Sequence, residues 1–135
     1  MQDRPTAREL IRGIYHFLQA DLVPVLEEPL KFHTRVAANV LGIIEREIEL
    51  EDGHLLEEGK RLSKLLGKKW FPPESTEHLR NTVVELNEEF SKRIRAGEAD
   101  HGPWRDAALE HVRKTLLEKL QIADPRMIER AQRKA

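Results

Sequence analysis

Phe32-His33-Thr34-Arg35-Val36-Ala37-Ala38-Asn39-Val40-Leu41-Gly42-Ile43-Ile44-Glu45-Arg46-Glu47 is the most apolar stretch of the chain, and its reading decides the fold. On a helix advancing about 100° per residue, Phe32, Val36, Val40, Ile43 and Ile44 share one side, and Ala37, Leu41 and Ile48 widen it. An apolar arc wider than half the circumference belongs to a helix packed on more than one side, as in the middle of a bundle. His33 and Glu47 fall inside this arc and are expected to be buried, where a charge must be paired or lost. Asn39 lies at the edge of the arc, and Arg35, Glu45 and Glu49 lie on the polar side. His33 and Glu47 are separated by roughly 21 Å along a helix, so each needs a partner from another helix or a ligand.

The flanking sequence reads as more helices. Thr6 with Glu9 forms a capping box for a first helix carrying Leu10, Ile11, Ile14, Phe17, Leu18 and Leu22, which Pro24 ends or kinks. Ahead of it, Asp3-Arg4-Pro5 is a short polar arm: Asp3 is a second cap, or the arm folds back and Arg4 meets a carboxylate. Pro29 opens the central helix, and Glu51-Asp52-Gly53 is expected to end it in a turn. A third helix, His54 to Leu66, carries Leu55, Leu62, Leu65 and Leu66, with Gly59 on the same side to admit another backbone. Gly67 caps it, and Lys68 and Lys69 suit the negative end of its dipole.

Trp70-Phe71-Pro72-Pro73 forbids helix. Its aromatics either plug the end of the bundle or form an exposed docking patch for a partner. A fourth helix from Ser75 or Thr76 carries the seam Leu79, Val83, Leu86, Phe90 and Ile94 and stops at Gly97. Pro103 opens a fifth, with Ala108, Leu109, Val112, Leu116, Leu117 and Leu120 expected inward. Asp124-Pro125 breaks it and starts a short last helix with a basic tail. No strand-like alternation of useful length occurs. The expectation is an all-α, single-domain helical bundle over residues 1–135, with five main helices and a short C-terminal helix.

Composition narrows the function classes. The chain has 135 residues, enough for one core, and 23 Lys+Arg against 24 Asp+Glu, so no net charge draws it to nucleic acid or anionic membrane. It has no cysteine, which excludes disulfides and thiol chemistry and fits a cytoplasmic location. The opening residues carry no apolar signal segment, and the longest apolar run, Val36 to Ile44, is far short of the ~20 residues of a membrane span. Charge is unevenly spread: His111 to Ala135 holds seven Lys/Arg against three acids, and Glu27 to Glu58 nine acids against three Lys/Arg. Such polarity suits self-association or docking to a protein better than nucleic-acid binding.

Catalytic motifs are sparse. Glu-x-x-His occurs at Glu51/His54 and Glu98/His101, but turn glycines stand in or beside both, so no bundle-core metal site and no cofactor are expected. There is no nucleophile elbow and no glycine-rich phosphate loop. The polar set of the central helix remains. Arg35, Asn39 and Arg46 form a row that either grips a carboxylate, a phosphate or a CoA-type anion, or ties helices together through Glu9, Glu85 or Asp106.

Gln2-Asp3-Arg4-Pro5-Thr6-Ala7, Phe32-His33-Thr34-Arg35-Val36-Ala37-Ala38-Asn39-Val40-Leu41 and Arg46-Glu47 carry a resemblance. Leu86-Asn87, Ile94-Arg95-Ala96-Gly97, Thr115-Leu116 with Lys119-Leu120, and Asp124-Pro125-Arg126 extend it over nearly the whole chain. The chain resembles a bacterial family of small helical proteins of uncharacterised function. Its members are encoded beside acyl-CoA dehydrogenases and phosphotransferases of the aminoglycoside-kinase type. The family pattern commonly has Asn before the Pro-Arg pair and an aromatic after it; here Asp124 precedes and Met127 follows. The resemblance implies an accessory role beside such an enzyme and assigns no catalytic residue.

Two functions follow as expectations. The first is a non-enzymatic accessory or interaction protein, a homodimer through an apolar face, partnered by an acyl-CoA dehydrogenase or phosphotransferase-like protein and docking through Trp70 and Phe71. The second is a small anionic-ligand binder or enzyme, with His33 as acid or base and Arg35 or Arg46 as anion clamp. In either case the candidate network is Asp3, Arg4, His33, Arg35, Asn39, Arg46 and Glu47, with the N-terminal arm folded back toward the central helix.

Overall fold

The computed structural model describes residues 3–133, and every regular element among them is helical. Helix α1 spans Ala7–His16 and runs on through a π-helical segment, Phe17–Leu22, into a 3-10 turn, Val23–Val25. Then come α2 (Leu30–Leu65), α3 (Thr76–Arg95), α4 (Pro103–Ala123) and α5 (Pro125–Gln132). Gln2 of the first motif and Lys134 of the basic tail lie outside the described residues. None of these helices is long and apolar enough to cross a membrane.

The all-helical class is as expected, but one boundary differs. Glu51-Asp52-Gly53 does not turn: α2 is a single helix of 36 residues. One interior glycine costs a helix only about 1 kcal/mol relative to alanine, too little to break it when the residues beyond are buried. A Cβ at Gly53 would meet nothing within 4 Å, so this glycine neither packs nor bends the chain.

The chain divides into two compact units. The first comprises the residues up to Glu51 with Ile122–Asp124. Its α1 starts at the capping box read from sequence: Thr6 Oγ1 accepts from Glu9 N–H at 3.2 Å, and Glu9 accepts from Thr6 N–H at 2.7 Å. The two helices run antiparallel, with Arg8 facing Glu45 and Glu49, Arg12 facing Glu45, and the ring of Tyr15 against Gly42. Small residues make that approach possible, since Ala38 is fully buried and Gly42 is buried beside it.

The second unit comprises Asp52–Gln121 with the residues from Pro125 onward. Its core is Leu62, Leu66, Leu79, Val83, Leu86, Phe90 and Ala108, with Leu55, Leu65, Trp70 and Trp104 packed against it. The α3 seam is buried from Leu79 to Phe90, as its spacing predicts, but Ile94, expected to extend it, is exposed. Lys68 N–H bonds to Ser63 O at 2.8 Å and Gly67 N–H to Lys64 O at 3.2 Å, and Gly67 has φ +70°. That is a Schellman cap, and Gly97, with φ +88°, closes α3 in the same way. Gly59 admits the indole of Trp70, where a neighbouring backbone was expected.

Helix α4 corrects a second expectation. Ala108 is buried as expected, but its buried neighbour is His111, with Thr115 and Glu118 half-buried on the same side. Leu109, Val112, Leu116 and Leu117, expected inside, are exposed. The reason lies across the helix. Arg61 of α2 bonds to Glu118 and Thr115, so the polar line of α4 turns toward α2.

Candidate functional site

The structure scatters the polar set of the central helix. The side chains of His33, Arg35, Asn39 and Glu47 are all exposed and form no hydrogen bond or ion pair among the described residues. His33 and Glu47 were expected to be buried; they are not, because the apolar arc around them is itself uncovered. Phe32, Val36, Val40, Ile44 and Ile48 are between 36% and 58% exposed. The side of α2 that is covered is the opposite one, through Ala38, Gly42 and Glu45, where α1 packs. The His33 ring lies edge-on to Phe32, at 5.7 Å between centroids.

The rest of the set is used locally. Arg46 Nε donates to the carbonyl of Ile122 at 2.7 Å, satisfying a free acceptor in the last turn of α4. Arg4 lies 3.7 Å from Glu9 and Asp3 is exposed, so the N-terminal arm serves the start of α1 and does not reach the α2 set. The expected convergence of Asp3 and Arg4 with Arg35, Asn39 and Glu47 is therefore absent. The aromatic pair splits as well. Trp70 packs on the core over Gly59, and Phe71 is exposed.

A cleft that sequence reading missed lies in the second unit. It measures about 380 Å³ and is lined by Arg61, Lys64, Leu65, Trp104, Ala107, Glu110, His111 and Lys114. Arg61 is held by a bidentate pair with Glu118, at 2.8 and 2.5 Å, and by Thr115 at 3.3 Å. Trp104 donates its indole N–H to Leu65 O at 3.1 Å, which leaves its ring as an apolar wall. Lys114 lies 3.4 Å from Glu110, and Lys64 has no carboxylate partner among the described residues.

His111 stands beneath, 4% exposed, edge-on to Phe90 at 5.2 Å. Burial, reinforced by the Arg61 charge, pushes its pKa below the usual 6.5, so the ring is neutral at pH 7. Its Nδ1 and the Nε of Arg61 are buried without a hydrogen-bond partner among the described residues. The signal for this site was present but weak: Ala108, His111, Thr115 and Glu118 fall on one helical line, which an apolar-face reading discards.

Metal chemistry gains nothing from the geometry. Because α2 is continuous through Gly53, where a turn was expected, Glu51 and His54 stand one turn apart on it. Even so, no three His, Asp or Glu side chains converge among the described residues.

Comparison with known proteins adds a family. No curated protein and no solved structure matches the chain. A family model described as a domain of unknown function (DUF6285) matches residues 24–127, from within the 3-10 turn into α5. That span holds the whole of α2, α3 and α4 together with the exposed face and the cleft, and the chain belongs to this family.

Proposed function

We propose that the protein is a non-enzymatic accessory protein whose working form is a homodimer closed on the uncovered face of α2. One observation carries this reading: Phe32, Val36, Val40, Ile44 and Ile48 leave a run of large apolar side chains in water along the helix that forms one side of the first unit. Scattered exposed hydrophobics are ordinary on a protein surface, but a continuous run on one helix face is what an interface requires. The partner of the dimer is the acyl-CoA dehydrogenase or phosphotransferase-like protein that the family resemblance implies. The test is the molar mass of the purified chain by light scattering. Wild-type protein gives twice the chain mass, and Val40→Glu gives the monomer with its helical circular dichroism intact. A wild-type monomer at tens of micromolar overturns the reading.

The cleft supports a second reading, a binder of small anions, with a different residue set from the His33, Arg35 and Arg46 of the sequence reading. Its walls are Leu65, Ala107 and the Trp104 ring, and its volume lies at the small end of the usual range for ligand sites. Arg61 is neutralised by Glu118 and Lys114 is shared with Glu110, so Lys64 is the uncompensated cation. That arrangement suits an amphipathic monocarboxylate, its apolar body on Trp104 and its carboxylate toward Lys64. Phenylbutyrate is a suitable probe, followed through the indole N–H resonance of Trp104 by heteronuclear NMR. Saturable movement of that signal, lost in Lys64→Gln and absent with phenylbutyramide, supports the reading. Equal response to acid and amide sinks it.

A further inference from the structure

The homodimer proposed above leaves its geometry open, and the residues of the face supply it. From the outward pattern and charge of α2 we infer that the two copies of this helix pair antiparallel about a twofold axis passing at Val40. This inference rests on the homodimer reading and deepens it.

Two polar residues on the face sit symmetrically about Val40. His33 lies seven residues before Val40, and Glu47 lies seven residues after it. Seven residues is close to two helical turns, so both project to the same side as Val40. Both are exposed, and neither side chain has a hydrogen bond or ion pair among the described residues. In an antiparallel pair centred on Val40, His33 of one copy meets Glu47 of the other, and the symmetry makes this contact twice. The same register sets Phe32 against Ile48, Val36 against Ile44, and Val40 against itself. Each of these residues is an exposed apolar side chain.

Charge along the helix favours the same pairing. From Leu30 to Ile44 the charged side chains are Lys31 and Arg35, with no acid. From Glu45 to Asp52 there are Glu45, Glu47, Glu49, Glu51 and Asp52 against Arg46. Glu45 and Glu49 are already engaged by Arg8 and Arg12 of α1, whereas Glu47 is an exposed acid on the Val40 line. Antiparallel pairing lays the basic half on the acidic half and opposes the helix dipoles. Parallel pairing lays like on like. Helix α1 covers the Ala38–Gly42 side and leaves the Val40 side open to a second copy.

The chain has no cysteine, so introduced thiols report the register cleanly. The experiment places single cysteines at exposed positions of the full chain and treats each variant with a short bismaleimide. Val40→Cys links to itself in high yield. Val36→Cys does not link to itself, but links to Ile44→Cys when the two variants are mixed. Self-linking of Val36→Cys as efficient as that of Val40→Cys overturns the antiparallel register and indicates a parallel pair. No linking at any of the three positions, in a sample that light scattering shows to be dimeric, overturns the register and moves the interface off this face. A monomeric wild type overturns the homodimer reading itself, and the register with it.

Discussion

The indole of Trp70 fills the place a side chain on Gly59 would take: a Cβ there would lie 2.2 Å from Cη2 and 2.7 Å from Cζ3. The neighbour is a rigid ring packed on the core, so it has no flexible end to withdraw. Gly59→Ala is therefore expected to lower stability by roughly 1–2 kcal/mol, the cost of overpacking exceeding the helix-propensity gain of about 1 kcal/mol. Gly53→Ala is the control. It sits in the same helix with nothing within 4 Å of its Cβ, and is expected to raise stability by roughly 0.5–1 kcal/mol. Urea midpoints of the two variants check the pair. Equal shifts in the same direction would dispose of the packing argument.

His111 gives the fold a pH dependence with a definite sign. Burial is the main cause of its lowered pKa. The charge of Arg61 on α2 and, more weakly, that of Lys119 add to it, and Glu58 and Glu118 oppose it. The unfolded chain carries this group near 6.5, so between that value and the lower folded one the unfolded state binds more protons. The neutral ring's contribution is complete above pH 6.5 and shrinks as pH falls below it, levelling off once the folded value is passed. The check is denaturant unfolding of wild type and His111→Gln across this range. The difference between them is expected to narrow on the acid side, and a constant difference excludes the assignment.

Much of this fold is legible from sequence because it rests on local rules. Thr6 and Glu9 cap α1, Gly67 and Gly97 close their helices with positive φ, and the spacing of Leu79, Val83, Leu86 and Phe90 gives the buried seam of α3. What spacing does not encode is what a face meets. The apolar arc around Val40 is a face, as its periodicity says, yet it points to water, so His33 and Glu47 are exposed. Helix α4 turns inward by its polar line, because Arg61 lies opposite Thr115 and Glu118, fifty-odd positions along the chain. A pairing of that kind has no local signature. The cleft that depends on it was invisible for the same reason.

The pair of Arg61 with Glu118 is expected to matter to stability more than the exposed ion pairs do. Both side chains are about one-fifth exposed, and two parallel hydrogen bonds join them. Arg61→Ala strands a half-buried carboxylate and removes a bond to Thr115. The expected loss is roughly 2–3 kcal/mol after allowing for solvent at the rim. Arg61→Lys recovers little of it, because one ammonium cannot reproduce the two-pronged geometry. Lys114→Gln, which removes an exposed partner of Glu110, is expected to change stability by less than about 0.5 kcal/mol. Thermal midpoints of the three variants order these effects. A Lys variant as stable as wild type would show that charge alone, without the fork, holds the two helices.

The proposed contact between His33 and Glu47 of two copies makes the sharpest prediction, because symmetry doubles every change. Glu47→Lys sets a cation against the imidazole twice per dimer and is expected to weaken association by about tenfold. His33→Glu alone sets two carboxylates together twice and weakens it similarly. Combined in one chain, the two substitutions set opposite charges together at both contacts, and affinity returns to within about threefold of wild type. Neither side chain has a hydrogen bond or ion pair among the described residues, so all three variants are expected to fold as wild type does. Sedimentation at several concentrations gives the dissociation constants. If the losses of the two single variants add in the double variant, these residues do not face each other. Arg35→Glu is the internal standard: Arg35 lies between the α1 side and the uncovered face, outside the Val40 line, so reversing its charge is expected to shift the constant less than either substitution on the line.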